Sequence, residues 1–300
     1  MHPDITGIVT PIQTPFDREG NLVLEHVSDS VEFALECGSD AIVAAGTGVQ
    51  ETPSLTPTER ESLITETIDA VDGRVPAFAG CAYPAKPVAK RLARHAADAG
   101  ADALLSFPPW GISPSTETVK RYYRDLSSTT ELPLLLYNNP TVTVDLPKEV
   151  MAQIAKFDGV QYVKETSRNF QKISWLLEHV DRKGHADVFG TYDVLLSLLQ
   201  AGGSGAVVPT PATVPAVKVV NAFQNNDLES AITHQRVFTH FPPEEVQGEG
   251  LMPVMKAGAE IAGVQVGTPR NPYDEQVLAS DEKEALESWM KKHDVPRVGE

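Results

Sequence analysis

The chain has 300 residues, of which 41% are hydrophobic and 22% charged, a composition typical of a globular protein with a large core. Its net charge of −16 and its pI of about 4.9 disfavour nucleic-acid binding, because such a surface repels phosphate backbones. The acidity is typical of a salty cytoplasm or of a surface that serves solubility, and the sequence leaves both interpretations open.

The cysteines and the apolar segments bear on the cellular compartment. Cys37 and Cys81 each lie in an apolar stretch, which favours buried free thiols over a disulfide. The N-terminal segment lacks a basic region followed by a long apolar run, and no stretch approaches the length of a membrane span. We therefore expect a cytoplasmic protein without a signal peptide or a transmembrane helix.

Short apolar runs alternate with amphipathic segments of helical length over the first three quarters of the chain. Continuous apolar runs, rather than alternating ones, predict strands buried on both faces of a parallel sheet. The strand candidates are Gly7–Ile12, Asp40–Ala45, Val75–Cys81, Asp102–Phe107, Pro133–Tyr137, Val160–Lys164, Asp187–Gly190 and Gly205–Val208. The helix candidates between them are Glu25–Glu36, Pro57–Val71, Pro84–Ala99, Ser115–Ser127, Leu146–Phe157, Asn169–Val180, Tyr192–Gln200 and Thr213–Gln224.

This alternation predicts an α/β fold, a (β/α)8 TIM barrel, with a doubly wound open sheet as the alternative. After about residue 225 the strand pattern stops, and Asp227–Phe241, Gly250–Ala262 and Asp281–His293 are predicted as helices. We thus expect a barrel domain over residues 1–225 and a C-terminal three-helix segment, 226–300, packed on the barrel.

Lys164 is the most informative polar residue, because it ends a strand that should lie in the barrel wall. In such barrels the catalytic groups lie at the carboxyl ends of the strands. An unpaired buried ammonium is costly, and burial favours the free amine, which can attack a ketone carbonyl. Alternatively, the side chain points outward and pairs with a neighbour such as Glu165.

Tyr137 ends the preceding predicted strand. A buried tyrosine is usually an apolar body with one hydrogen bond, but next to Lys164 its phenol could move a proton to and from a substrate. Thr47 and Gly48 follow the second strand and offer a hydroxyl and backbone N–H groups that suit a carboxylate. The predicted substrate-binding set is Thr47, Gly48, Val49, Trp110, Asn139, Thr191 and Val207.

Motifs for metals and nucleotides are missing from the sequence. The eight histidines show no close ligand spacing. There is no Walker loop, no Gly-x-Gly-x-x-Gly after a strand and no Gly-x-Ser-x-Gly elbow. We expect no metal ion and no cofactor.

Several motifs together resemble the dihydrodipicolinate synthase / N-acetylneuraminate lyase family over nearly the whole chain. The resemblance is carried by Tyr137-Asn138-Asn139-Pro140, Val163-Lys164-Glu165-Thr166, Gly46-Thr47-Gly48 with Glu51, Gly202–Val207, and Lys256, Gly263 and Arg270-Asn271-Pro272. It implies a class I mechanism in which Lys164 forms an imine with the C2 ketone of pyruvate or a 2-keto acid. It also implies that Tyr137 moves protons, that the residues around Thr47 hold the carboxylate, and that the protein is a homotetramer, a dimer of dimers.

Two departures from the family pattern bear on the substrate. Val142 stands where the synthases carry an arginine that would bind a second carboxylate, so aspartate semialdehyde should be a poor substrate unless another basic residue, such as Arg168, reaches the site. The loop Phe107–Gly111 lacks the family's relay tyrosine, and Trp110, whose indole cannot relay a proton, is expected to form a wall of the pocket.

These departures favour an aldolase of the 2-keto-3-deoxygluconate type, which would release pyruvate and an aldehyde. A dehydratase that uses the same imine is the alternative within the fold. A non-catalytic sensor of sugar acids is the alternative from another class of protein.

Overall fold

Eight parallel strands form a closed barrel in the computed structural model, which describes residues 5–111, 113–246, 250–270 and 276–299. Each strand pairs with its neighbour in chain order, and the last strand pairs with the first. The closure confirms the predicted TIM barrel and excludes the doubly wound sheet. The strands are β1 Gly7–Pro11, β2 Ala41–Ala44, β3 Ala77–Gly80, β4 Ala103–Ser106, β5 Leu134–Asn138, β6 Val160–Glu165, β7 Asp187–Gly190 and β8 Gly205–Val207.

The strands are buried on both faces, as their continuous apolar sequences predict. Successive side chains alternate between the barrel interior and the helical layer, so residues two apart share a face. The interior contains a cluster of large side chains that includes Phe78, Tyr162 and Phe189. At the seam between β1 and β8 the strands approach so closely that a Cβ on Gly205 would lie 1.9 Å from the Gly7 carbonyl oxygen.

A helix follows each strand and covers the outside of the barrel. These helices are α1 Val27–Glu36, α2 Pro57–Val71, α3 Lys86–Asp98, α4 Thr116–Ser127, α5 Lys148–Ile154, α6 Phe170–Leu176, α7 Leu195–Gln200 and α8 Thr213–Gln224. The predicted helix over 192–200 is a 3₁₀ turn, Tyr192–Val194, followed by α7, and the segment predicted over 169–180 continues from α6 into a π-helical turn, Leu177–Asp181. These turns shorten the regular helices relative to the sequence-based bounds.

The described ranges contain three more α-helices after the barrel: α9 Leu228–Arg236, α10 Leu251–Ile261 and α11 Ser280–Lys292. Their apolar residues, such as Val254 and Trp289, share one cluster with Ala206 and Val208 of the β8 region and with α8. The C-terminal helices therefore pack on the barrel as predicted, while the division at residue 225 stays a prediction. Asn271 and Pro272, part of one family motif, lie outside the described residues. No described helix is long and apolar enough to cross a bilayer.

Candidate active site

A cavity of about 660 Å³ lies at the carboxyl ends of the strands. Side chains from the loops after β2, β5, β6, β7 and β8 line it, together with Leu251 and Met252 at the start of α10. The predicted site residues that line it are Lys164, Tyr137, Thr47, Gly48, Val49, Asn139, Thr191 and Val207. This is the position where TIM barrels carry their active sites.

Lys164 and Tyr137 lie side by side on adjacent strands and face the cavity. They are register partners in the β5–β6 pair, and the Lys164 Nζ atom is 4.1 Å from the centroid of the Tyr137 ring. Lys164 is only 4% exposed. Within the described part of the chain, Lys164 has neither an acidic partner nor a hydrogen bond from its Nζ atom. A buried amine without a carboxylate partner is the arrangement that a nucleophilic lysine requires.

The residue after Lys164 belongs to a separate polar network behind the strand. Glu165 is fully buried, and it accepts hydrogen bonds from the Asn138 amide at 3.0 and 3.1 Å and from the Ser167 N–H at 2.7 Å. Its charged partner is Lys172 of α6, whose Nζ atom is 3.0 Å from a Glu165 carboxylate oxygen. Glu165 therefore pairs with Lys172 rather than with Lys164, and the outward-pointing alternative for Lys164 is wrong.

Lys172 also holds Asp145, a residue on the rim of the cavity. Its Nζ atom is 2.6 Å from a carboxylate oxygen of Asp145, and the Asn138 amide donates to the same oxygen at 2.9 Å. Burial acts to raise the pKa of Asp145, but the bonds from Lys172 and Asn138 outweigh it and lower that pKa below its ordinary value. Asp145 is therefore held as a carboxylate, and it shares the Lys172 ammonium with Glu165.

The Tyr137 hydroxyl is oriented by Asn139. The amide of Asn139 donates to the Tyr137 oxygen at 3.0 Å, while its carbonyl oxygen accepts from the Thr141 hydroxyl at 2.7 Å. Because the phenolic oxygen accepts this bond, its own proton is left to point elsewhere. The arrangement suits a phenol that exchanges a proton with a ligand in the cavity.

Thr47 opens a 3₁₀ turn, Gly48–Gln50, that forms one wall of the cavity. The buried Gln50 side chain accepts hydrogen bonds from the N–H groups of Gly46 and Thr47 at 2.9 and 3.1 Å. The N–H groups of Gly48 and Val49 form no hydrogen bond within the described residues and remain available to an anion. Val142 packs against this turn, since a Cβ on Gly48 would lie 3.4 Å from it.

A buried ion pair fastens this turn to the C-terminal segment. Glu51 directly follows the turn in a left-handed conformation, with φ +55°, and its carboxylate is 3.0 Å from the Nζ atom of Lys256 on α10. Lys256 also donates to the Thr14 carbonyl oxygen at 2.7 Å. Burial lowers the pKa of Lys256, while the nearby Glu51 carboxylate acts in the opposite direction.

Two buried hydroxyls on the cavity wall have no hydrogen-bond partner among the residues that the structure describes. They are the Oγ1 atoms of Thr166, after β6, and Thr191, after β7. Burying a hydroxyl without a partner costs free energy, so these two groups favour a ligand or water that bears hydroxyls or carbonyls.

Trp110 is the predicted site residue that the structure does not bring into this cavity. Its ring packs on Phe107 and Tyr83, with centroid distances of 5.0 and 5.9 Å. It lines a different cavity, between the loop after β4 and α4. Phe107, by contrast, connects to the site, since its ring lies edge to face with Tyr137 at 6.2 Å.

Sequence reasoning missed Gln50, Lys172, and the pair Leu251 and Met252. Gln50 carried a usable signal, because Thr47-x-x-Gln50 has the spacing of a helix N-terminal capping box. Lys172 lies on the helix that follows β6, Leu251 and Met252 come from a segment distant in sequence, and no local pattern marks any of the three. Within the described ranges, no group of three or more His, Cys, Asp or Glu side chains could hold a metal ion.

Comparison with known proteins identifies the family of this barrel and its buried lysine. Residues 4–293 match the model of the dihydrodipicolinate synthetase family. The 4-hydroxy-tetrahydrodipicolinate synthase of Bacillus subtilis is 29% identical over 290 residues, covering 95% of this chain and 98% of that protein. The synthase of Methanoculleus marisnigri is 31% identical over 284 residues, covering 92% and 96%.

Solved structures agree with the sequence comparisons. The crystal structure of dihydrodipicolinate synthase from Thermotoga maritima superposes with a TM-score of 0.87 at 25% identity, covering 97% of this chain and 99% of that one. The chain belongs to the dihydrodipicolinate synthetase family, which comprises pyruvate aldolases of class I, acting through a lysine Schiff base. Its members are lyases that form or cleave carbon–carbon bonds, and they bind pyruvate and an aldehyde.

Proposed function

We propose that this protein cleaves a 2-keto-3-deoxy sugar acid of the 2-keto-3-deoxygluconate type into pyruvate and an aldehyde, through a Schiff base on Lys164. The observation that carries the proposal is the unpartnered Lys164 amine beside Tyr137 in a cavity walled by hydroxyl groups. Thr166 and Thr191 supply hydroxyls without partners, which suit a polyhydroxylated substrate.

The geometry supports a definite sequence of steps. The Lys164 amine attacks the C2 ketone, and loss of water gives an imine, with the C1 carboxylate at the free N–H groups of Gly48 and Val49. Tyr137 gives its phenolic proton to the imine nitrogen, and the resulting phenolate accepts the proton of the C4 hydroxyl while the C3–C4 bond breaks and its electrons form an enamine. The aldehyde leaves, and Tyr137 passes the proton on to C3. Water then hydrolyses the imine, which releases pyruvate and the free lysine and returns a proton to Tyr137.

Val142 supports a sugar acid over aspartate semialdehyde. An aliphatic side chain at this position cannot compensate for the desolvation of a charged group, whereas a hydroxylated chain loses less on entering the cavity. Because the relatives are named as synthases, the preference for a sugar acid over aspartate semialdehyde needs a direct test.

Two other functions are separated from this one by product analysis. A dehydratase would use the same imine to expel a hydroxyl as water, and it would leave the carbon chain intact. A sensor would bind a sugar acid without changing it. The Lys164–Tyr137 pair favours an enzyme, because binding alone needs neither an imine-forming amine nor a proton relay.

The test is a turnover assay on the purified protein. We expect release of pyruvate from 2-keto-3-deoxygluconate, detected with lactate dehydrogenase, at a higher kcat/KM than condensation of pyruvate with aspartate semialdehyde. A higher kcat/KM for aspartate semialdehyde would instead indicate the synthase activity for which the relatives are named. A product of unchanged carbon number would indicate the dehydratase, and binding without turnover in isothermal titration would indicate the sensor.

A further inference from the structure

We propose that Arg168 forms a subsite for an anionic group, a phosphate or a carboxylate, at the end of the substrate remote from the imine. The inference rests on the proposed function and specifies its substrate class. Arg168 lies on the loop after β6 and lines the same cavity as Lys164. Of the described residues that line this cavity, only Lys164, Asp145 and Arg168 carry formal charges.

Asp193 pairs with one edge of the Arg168 guanidinium, but the acidic groups nearby do not take up all of its N–H donors. Asp145 is already paired with Lys172. Asp193, which pairs with the Nε atom of Arg168, lines a neighbouring cavity between α7 and α9 instead of this one. The guanidinium also bonds to the Tyr192 hydroxyl, but its five N–H donors exceed these two contacts.

The Arg168 backbone has a conformation that a non-glycine residue rarely adopts, with φ +59°. Its side chain is 64% exposed and lies at the open end of the cavity. Arg168 is four positions after Lys164, a separation of at most about 14 Å, and an arginine side chain can reach back over part of that distance. The chain from C2 to C6 of a six-carbon keto acid spans about 5 Å, to which a terminal phosphate adds further length.

The position of Arg168 also bears on how Val142 affects substrate specificity. Val142 lies on the loop after β5, so the absence of a guanidinium there leaves the loop after β6 as the place for a second anion. The subsite therefore accepts a carboxylate or a phosphate at the far end of a hydroxylated chain.

The experiment compares three substrates that share one carbon chain and differ in the terminal group: 2-keto-3-deoxygluconate, its 6-phosphate and 2-keto-3-deoxyglucarate. The variants are Arg168→Gln and Arg168→Lys. Arg182→Gln is the matched control, because Arg182 is 67% exposed and is also paired with a carboxylate, Glu178 at 2.7 Å, but does not line the cavity.

We expect R168Q to lower kcat/KM about tenfold or more for the two substrates with a charged terminal group, while 2-keto-3-deoxygluconate, which ends in a hydroxyl, changes little, as loss of a charge-assisted contact predicts. R168K should keep most of the activity, and R182Q all of it. Because Arg168 is exposed, added salt should reduce the advantage of the charged substrate. An effect confined to the phosphate, or to the carboxylate, would identify the source of the anion.

An equal loss for all three substrates, or no loss for any, would overturn the subsite. If none of the three releases pyruvate, the proposed function fails, and binding then tests the subsite separately. Isothermal titration with 3-phosphoglycerate and with glycerate should then show that R168Q weakens only the former. Equal affinities of the wild-type protein and R168Q for 3-phosphoglycerate would refute the anion site.

Discussion

Lys164 and Tyr137 occupy opposing positions of the β5–β6 pair, with the lysine Nζ atom 4.1 Å from the centroid of the phenol ring. The lysine head group lies over the face of this ring, and no carboxylate of the described residues pairs with it. The contact with the ring keeps the amine buried and in a fixed position, and it does not supply a counter-ion. A ketone that enters the cavity can therefore react with it.

We expect pyruvate and borohydride to trap one covalent adduct per chain, on the peptide that contains Lys164. Lys172 and Lys256 provide internal controls, because each is also buried but paired with a carboxylate. Mass spectrometry of the digested protein locates the adduct. Replacement of Lys164 by arginine should abolish both trapping and turnover. An adduct elsewhere would contradict the imine assignment.

Tyr137→Phe should separate imine formation from the later proton transfers. We expect kcat to fall by about 10² to 10⁴, which is the usual contribution of a general acid–base group, while the stability of the fold changes little. Borohydride trapping of pyruvate should persist in this variant, because Lys164 is unchanged. A variant that retains near wild-type kcat would show that the phenol does not relay protons.

Lys256→Met should damage both stability and binding of the keto acid. It leaves the Glu51 carboxylate buried without its cation, which typically costs about 3–5 kcal/mol in the free energy of unfolding. We also expect a raised KM for the keto acid, because Glu51 anchors the turn that contains Gly48 and Val49. Urea denaturation and steady-state kinetics measure the two effects.

The control for this experiment is Lys218→Met, which breaks an exposed ion pair with Asp294. Exposed pairs contribute little, about 0–1 kcal/mol. The double variant Glu51→Gln, Lys256→Met should recover part of the lost stability. If Lys256→Met were no more harmful than Lys218→Met, the buried pair would not fasten the turn.

The protein should need no metal ion, because the imine supplies the electron sink that a divalent cation provides in other aldolases. Exhaustive treatment with EDTA should leave kcat/KM unchanged. A loss of activity that zinc or magnesium restores would contradict this expectation.

The assembly in solution is predicted to be a homotetramer, built as a dimer of dimers. Light scattering at micromolar concentration should give about four times the chain mass of 32.5 kDa. A monomer under these conditions would count directly against the prediction.

The barrel and the lysine–tyrosine pair could be predicted from sequence, because both depend on local patterns. Apolar runs mark the strands, and a polar residue that ends such a run must lie at a barrel mouth. The neighbours of the pair could not be predicted in the same way. Lys172 reaches Glu165 and Asp145 from a helix, and only the three-dimensional structure brings them together.

Loop residues were the least predictable part of the site. Trp110 and Val142 each lie four residues after the end of their strands, β4 and β5, yet the first lines another cavity and the second lines the candidate site. The position of the Arg168 side chain depends on a left-handed backbone conformation, which the sequence does not predict. The ends of the predicted strands therefore indicate where the site lies. They do not determine which side chains of the following loops enter it.

The ion pair between Glu51 and Lys256 also limits how such barrels can be recombined. The two residues lie about two hundred positions apart, on segments that a fragment exchange would treat as separate modules. A chimera that takes its first two strands from one relative and its tail from another has to match both ends of this contact. The two segments must therefore come from the same relative, because one buried ion pair joins them.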